Sequence, residues 1–361
     1  MSDEGRETTG ATPAIGRFRV VQATRASRAT ALIGLLLFIV LASLPAWGDS
    51  GTMSLLVDLF ALLALAEMWN LLAGYAGLVS IGQQAFIGLG AYGLYLFADL
   101  AGLHPILAIV VTAVVVGLIA VGTSFFVFRL EGGYFAIGTW VIAEVFRLLV
   151  VSNKSLGAGT GVSIQSLAQF GPQGRLALVY WLALLVGFGA VTACALIMRS
   201  RLGLALRSIR DGEVAARSLG VDVFRAKLAV YLIAAVGCGI AGSIIYMNLL
   251  RIQPNASFGV GWTAWIIFIV IIGGLGRIEG PIIGTVVFIG LRELLNDYGS
   301  AYLIVLGLLA VGITITAPHG LWGIIESRFS ASLFGIHRRL VADSPPVAPE
   351  ASGPPGAGAE S

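Results

Sequence analysis

Residues 105–128 read PILAIVVTAVVVGLIAVGTSFFVF, twenty-four positions without one charged side chain. Coiled as a helix with a rise of 1.5 Å per residue, such a run is about 36 Å long, enough to cross a hydrocarbon core of about 30 Å. Working outward, nine more stretches come close to the same requirement: 30–48, 53–73, 83–103, 134–151, 176–198, 228–250, 259–276, 281–297 and 300–317. Some connections are very short, such as the single His104 between the third and fourth stretches. The composition agrees. Of 361 residues 57% are hydrophobic and 11% charged, where soluble domains carry about 25% charged residues. With a mean hydropathy of +0.93, that charge deficit excludes a water-soluble enzyme and a disordered or fibrous chain. Two cysteines exclude a disulfide-stapled scaffold. The 48 glycines have no G-X-Y period, so they point to helices that approach closely or that break. The reading is an all-α polytopic membrane protein with about ten transmembrane helices and glycine-rich broken or re-entrant segments.

The net charge of +3 is too small to suggest a nucleic-acid partner; the placement of the charges says more. Ten spans put both termini on one side. If that side is the cytoplasm, seventeen Lys and Arg fall inside and only Lys154, Arg175 and Arg251 outside, with Arg147 and Arg292 within spans. That split obeys the positive-inside rule, and an odd span count would scramble it. The expected organisation is a cytoplasmic N-terminal tail (1–29), a transmembrane domain (30–325) and a cytoplasmic tail (326–361). The proline- and glycine-rich end from Ser344 to Gly356 is expected to be disordered. Arg25 and Arg28 ahead of an apolar run ending at Leu44-Pro45-Ala46 resemble a secretory signal, but the run is read as a retained first span.

The inner loop 199–227 carries the most information. It contains Arg207-Ser-Ile-Arg210-Asp211-Gly-Glu213-Val-Ala215-Ala216-Arg217-Ser-Leu219-Gly220. Asp211 is a good N-cap, Glu213 suits the positive first turn of a helix, and Gly220 suits the left-handed residue that ends one. Between them the sequence predicts a helix of about eight residues, roughly 12 Å long, with a small apolar face of Ala215, Ala216 and Leu219. Such a helix is too short to cross a membrane and fits a groove on a protein partner; the alternative is a solvated, positive-inside loop.

Glu213-x-Ala215-Ala216-x3-Gly220 resembles the EAA loop of ABC-importer permeases, the segment that docks into a cytoplasmic ATPase. Its surroundings resemble the LivM-type branched-chain amino-acid ABC transporter permease family. The matching segments are Trp69-Asn70-Leu-Leu-Ala-Gly74-Tyr75-Ala-Gly77-Leu-Val-Ser80-Ile-Gly82, Gly88-Leu-Gly90-Ala-Tyr92, Gly133-Tyr134-Phe135-Ala-Ile-Gly-Thr139 and Gly273-Gly274-Leu-Gly276-Arg-Ile-Glu279-Gly280-Pro281-Ile-Ile-Gly284. They occur in the family's order over about residues 30–325. The chain departs from the family at Gln83-Gln84, where a His-Ala pair is usual, and at Glu67. The resemblance implies an ABC-importer permease fold in the cell inner membrane, with both termini cytoplasmic. It implies no bond chemistry and no cofactor bound by this chain, ATP being used by partner subunits. The implied partners are a second permease of the same family, two cytoplasmic ATPase subunits, a periplasmic or extracellular solute-binding protein and membrane lipid. Asp211, Glu213, Ala215, Ala216 and Gly220 would couple to the ATPase. The cargo would be branched-chain amino acids or another small solute, since relatives carry urea and short amides.

Between Gly74 and Gly90 five glycines interrupt an apolar stretch that also holds Asn70, Tyr75, Ser80, Gln83 and Gln84. Backbone freed from helix at membrane depth is tolerated only inside protein or beside a water-filled cavity. These five polar residues are therefore candidates to line a translocation pathway, the alternative being tight packing and bonding between helices. A charge at the bilayer centre costs at least about 2.5–3.5 kcal/mol. Glu144 and Arg147, three apart on one helix face, can offset this by pairing, and are read as a structural pair with pathway lining as the alternative. Arg292 and Glu293 lie near the outer end of their span and can snorkel, and Asp58 is likewise close to the outer interface. Cys194 and Cys238 are read as apolar packing residues. His104, His319 and His337 form no metal-site spacing, and no G-x-x-x-x-G-K-[ST] is present to cradle ATP. A competing function is a secondary transporter driven by an ion or proton gradient, with Glu67 and Glu144 holding the coupling ion. The EAA loop argues against it, because a self-contained carrier needs no docking helix.

Overall fold

The computed structural model describes residues 18–21, 25–295, 301–317, 320–329 and 339–342. The tail segment from Ser344 to Gly356 lies outside the described residues. In chain order the elements are β1 (Phe18–Val21), α1 (Arg25–Ala42), α2 (Ser50–Asn70), α3 (Gln83–Leu94), α4 (Pro105–Val127), α5 (Gly133–Ser152), β2 (Val162–Ser163), α6 (Gly171–Arg199), α7 (Arg201–Asp211), α8 (Glu213–Ser218), α9 (Val223–Leu249), β3 (Arg251–Ile252), α10 (Pro254–Ser257), α11 (Gly261–Gly273), α12 (Glu279–Leu294), α13 (Ala301–Thr316), α14 (Gly320–Phe329) and β4 (Arg339–Ala342).

Among the described residues six helical segments are long and apolar enough to cross a membrane: Ser50–Tyr75, Pro105–Val127, Gly133–Ser152, Ala168–Arg199, Val223–Leu249 and Pro254–Gly273. A seventh arises if Gly307–Thr316 and Gly320–Glu326, bent by 40°, count as one. The other apolar stretches read from the sequence form shorter helices. The reason is local: Gln83, Gln84 and four glycines dilute the stretch at α3, and Gly273-Gly274 and Gly276 cut the apolar run between α11 and α12.

α2 is the axis of the molecule. From Phe60 to Asn70 every side chain is buried, as expected of a helix that is apolar all round. It packs against α6, α9, α11 and α12. α3 lies on α9, and the close approach depends on glycine: a Cβ on Gly90 would stand on the Gly239 carbonyl oxygen, and one on Gly242 on the Ile87 carbonyl oxygen. Arg292 has a partner on a neighbouring helix. Its Nη2 pairs with Asp58 Oδ2 at 2.6 Å, tying α12 to α2. Cys194 and Cys238 are buried free thiols.

Candidate functional site

α2 does not end as an ordinary helix. Leu71–Tyr75 forms a π-helical turn, and 77–82 is non-helical before α3 begins at Gln83. π-turns are rare and concentrate at functional positions. The break is pinned from several sides. Trp69 Nε1 donates to the Ser80 carbonyl at 2.8 Å, and Ile81 N–H donates to Thr139 Oγ1 on α5 at 3.1 Å. Thr139 is six residues into α5, so this part of the break lies about 9 Å from the start of that helix.

All five candidate pathway residues meet in and around this break, and all are buried. Asn70 Nδ2 donates to the Arg277 carbonyl and its Oδ1 accepts from Gly276 N–H, both at 2.8 Å, which clamps α2 to the α11–α12 turn. Ser80 Oγ accepts from Gly82 N–H at 3.2 Å. Gln83 Oε1 accepts from Cys238 Sγ on α9, and Gln84 Oε1 accepts from Thr263 Oγ1 on α11. Several polar atoms of α2, its π-turn and the start of α3 have no hydrogen-bond partner: both carboxyl oxygens of Glu67, Tyr75 Oη and Gln83 Nε2. Buried polar atoms without partners cost about 1–3 kcal/mol each, so such a cluster needs a reason.

The inner loop folds as two helices. α7 is amphipathic, burying Gly203, Leu206 and Ile209, and its Arg210 donates from Nη1 to the Gly74 carbonyl in the π-turn of α2. α8 follows after one residue. Here the sequence reading is corrected: Asp211 is the last residue of α7 rather than the N-cap of α8, and the N-cap position belongs to Gly212. The buried stripe of α7 carries that helix through Ile209, and Gly212 N–H closes it onto the Ser208 carbonyl at 3.1 Å. α8 is accordingly six residues long, not eight.

Its C-terminus is as the glycine implied. Gly220 has φ +82°, Gly220 N–H donates to the Arg217 carbonyl at 2.9 Å, and Val221 N–H to the Ala216 carbonyl at 3.1 Å. These two bonds make a Schellman cap. Glu213 holds α8 in place by accepting from Lys227 Nζ on α9 at 2.5 Å and from Arg217 Nη2 at 2.7 Å. Burial pushes the Glu213 carboxyl up, but the bond and charge of Lys227, then those of Arg217, outweigh it and hold it below the usual glutamate range. Ala216 faces inward, fully buried, whereas Ala215 is exposed. Beside it Val214 and Leu219 are 81% and 79% exposed. The apolar surface offered by α8 is thus Val214, Ala215 and Leu219. Val214 was missed in the sequence, where no same-face spacing marks it: it stands five residues before Leu219, and helical neighbours are three or four apart.

Glu144 and Arg147 do pair. Arg147 Nε donates to both Glu144 oxygens at 2.9 Å, and Nη1 donates to Asn255 Oδ1 at 2.7 Å, joining α5 to α10. The pair is not inside the bundle: the side chains are 46% exposed at Glu144 and 24% at Arg147.

Comparison with known proteins follows the same outline. The sequence profile of the family described as "Branched-chain amino acid transport system / permease component" matches residues 51–317. The chain is 29% identical over 278 residues to the high-affinity branched-chain amino acid transport system permease protein LivM of Salmonella typhimurium and 27% identical to LivM of Escherichia coli. Each match covers 70% of this chain and 65% of the relative, so the chain spans a little under two thirds of those relatives' length. A shorter match, 30% over 121 residues, links it to the ribose import permease protein RbsC of Escherichia coli, covering 32% of this chain and 37% of that one. With its profile match spanning the bundle from α2 to α13, this multi-pass membrane protein belongs to the branched-chain amino acid transport permease family.

Proposed function

We propose that the chain is the permease subunit of an ATP-driven ABC importer and forms the translocation pathway for a branched-chain amino acid or a related small solute. The observation that carries this is α8: a capped six-residue helix presenting Val214, Ala215 and Leu219 to solvent, backed by α7, whose Arg210 reaches the π-turn of α2. An exposed apolar knob on a rigid mount is suited to a groove on another protein. Two cytoplasmic ATPase subunits dock there, a second permease of the family completes the membrane portion, and a soluble binding protein delivers solute to the outer face. The chain itself binds no cofactor; ATP is spent by the partners. It lies in the cell inner membrane with both tails in the cytoplasm.

Movement of α8 on ATP binding pulls on α7, and through Arg210 on the α2–α3 break. Asn70, Tyr75, Ser80, Gln83 and Gln84 line the pathway when that break opens. In this structure Tyr75 Oη and Gln83 Nε2 have no partner, which supports a second arrangement in which water or solute reaches them. Neutral hydrogen-bonding groups suit rapid passage, leaving affinity to the external binding protein. The match to a permease named for ribose import favours this division, since similar helices serve unlike solutes. In vesicles holding the assembled complex, leucine uptake should follow internal ATP and ignore imposed proton or sodium gradients. Uptake that follows a gradient without ATP would establish the secondary transporter instead.

A further inference from the structure

α4 and α5 each leave one face uncovered by the rest of the bundle, and the two faces differ. The exposed side chains of α4 are apolar throughout, among them Ile106, Val110, Val114, Leu118 and Phe125, as a helix facing lipid requires. α5 is uncovered along Tyr134, Ile137, Val141, Glu144 and Leu148, the glutamate half-exposed. Those steps of three, four, three and four residues are the period of a seam that packs against another helix, with one polar position among apolar ones. The opposite side of α5, with Phe135, Thr139, Ala143 and Val150, is the side buried in the bundle.

Glu144 is the twelfth of the twenty residues of α5, about 16 Å from its start and about 12 Å from its end, well inside a hydrocarbon core of about 30 Å. Charged side chains at such a depth face protein or a water-filled cavity rather than hydrocarbon. The uncovered neighbours Trp140, Val141, Val145, Leu148 and Leu149 are apolar or aromatic, which suits a protein helix and not a water-lined wall. The pair also has bonding capacity left over. Of the five N–H donors of the guanidinium, Nε and one Nη2 hydrogen go to Glu144 and one Nη1 hydrogen goes to Asn255, leaving one hydrogen on each terminal nitrogen. The Glu144 carboxylate likewise keeps unused lone pairs.

We propose that the seam of α5 is the contact between two copies of this chain, with Glu144 and Arg147 of each copy completing the pair of the other. Both copies enter the membrane the same way up, so the two-fold axis relating them runs across the membrane and brings equal residues together at equal depth. Glu144 then meets Glu144. Arg147, three residues or about 4.5 Å further along each helix, reaches the carboxylate of the other copy. The four charges close into a neutral ring, which offsets their desolvation and fixes the register of the two helices, as a lone polar position in an apolar seam does. A second copy brings the complementary groups by symmetry; an unlike partner would have to carry both at the same depth. The proposal rests on the importer reading, in which a second permease completes the membrane portion, and it identifies that permease and the face it meets.

The test uses the full complex in membrane vesicles, with Cys194 and Cys238 replaced by alanine and one seam position at a time changed: Ile137→Cys, Val141→Cys or Leu148→Cys. Oxidation with copper phenanthroline should convert most of the chain to a covalent dimer of twice its mass, at least fivefold more than for Val114→Cys on the exposed face of α4. Three positions keep the test open where one substitution prevents assembly. Yields no higher than the α4 control at all of them overturn the proposal. So does a cross-link to a different polypeptide, because the seam then belongs to an unlike partner. Glu144→Arg, which sets four guanidinium groups at the axis, should lower the Val141→Cys cross-link at least fivefold per chain recovered in the membrane, and joining it to Arg147→Glu should restore it. An unchanged yield with Glu144→Arg overturns the role given to the charges. Uptake with and without ATP in the same vesicles reads the importer assignment separately: gradient-driven uptake sinks that assignment and leaves the cross-link result standing.

Discussion

At the scale of single residues, Asn70 carries more of the architecture than its place at the end of an apolar helix suggests. It is fully buried and satisfies one donor and one acceptor of the α11–α12 turn. Asn70→Ala leaves both backbone groups unpaired, at about 1–3 kcal/mol each, so a combined destabilisation of about 2–6 kcal/mol is expected. A thermal melt in detergent measures it; a loss below about 0.5 kcal/mol would show that water replaces the side chain. The importance of Asn70 was visible in the sequence from its neighbour Trp69 and the glycines that follow. Its partner was not, because Arg277 lies 207 residues away and no local pattern encodes such a pairing. The same holds for Asp58 and Arg292, 234 residues apart. Glu213 is the opposite case, with a partner one helical turn away at Arg217 that spacing alone implies. Its carboxyl is held below the ordinary value of 4.5, so its contribution is complete above that range and is lost as pH falls through the lowered value. Recovery of the ATPase on the purified permease should thus be flat between about pH 6 and about pH 8, while Glu213→Gln lowers it throughout that range. A wild-type dependence centred within that range would assign the titration to another group.

At the scale of elements, α8 is set by its ends rather than by its length. Six residues have little helical stability of their own, so the Schellman cap and the Glu213–Lys227 tie keep it formed. Nothing stands within 4 Å of a Cβ placed on Gly220, so a substitution there is judged by the backbone alone. Gly220→Val forces a β-branched residue to φ +82° and should cost about 1–3 kcal/mol locally, whereas Gly220→Asn should be tolerated. The permease should still be made and inserted, but the ATPase recovered with the valine variant should fall several-fold; equal recovery for both variants would remove α8 from the docking surface. The cap at Gly220 was legible because only glycine is at ease at such φ values. The N-terminal end was misread because Asp211 obeys the capping rule equally well as the last residue of α7, and the choice was made by burial of Leu206 and Ile209 beneath that helix. The α2–α3 break was legible too, since glycines and amides in an apolar run leave few alternatives, but its π-turn and its contact with Arg210 required the packed structure.

For the molecule as a whole, the contacts sort the connections onto two faces. One face gathers the π-turn of α2 with Arg210 of α7, Asn70 with the α11–α12 turn, and Arg277 with Glu326 of α14. The other gathers Asp99 with Ser166, β2 paired to β3, Asn248 with Ser54, and Arg292 with Asp58. Each helix that joins the two sets runs from one face to the other, so the contacts act as a topology map independent of charge. β1 pairs with β4, which brings the two terminal segments together. Laid on this map, the basic residues divide unevenly: Arg199, Arg201, Arg207, Arg210, Arg217, Arg225 and Lys227 all belong to the first face, while Lys154, Arg175 and Arg251 belong to the second. Positive charge is retained on the cytoplasmic side of a membrane, so the first face should be the inner one. The mapping gives opposite fates to two exposed sites in a background lacking Cys194 and Cys238. Lys154→Cys should react with an impermeant thiol reagent added to intact cells, whereas Arg225→Cys should react only after the membrane is opened. Labelling of both from outside would break the two-face assignment. The reverse pattern would keep the faces and invert the protein, placing α8 where no ATP is available.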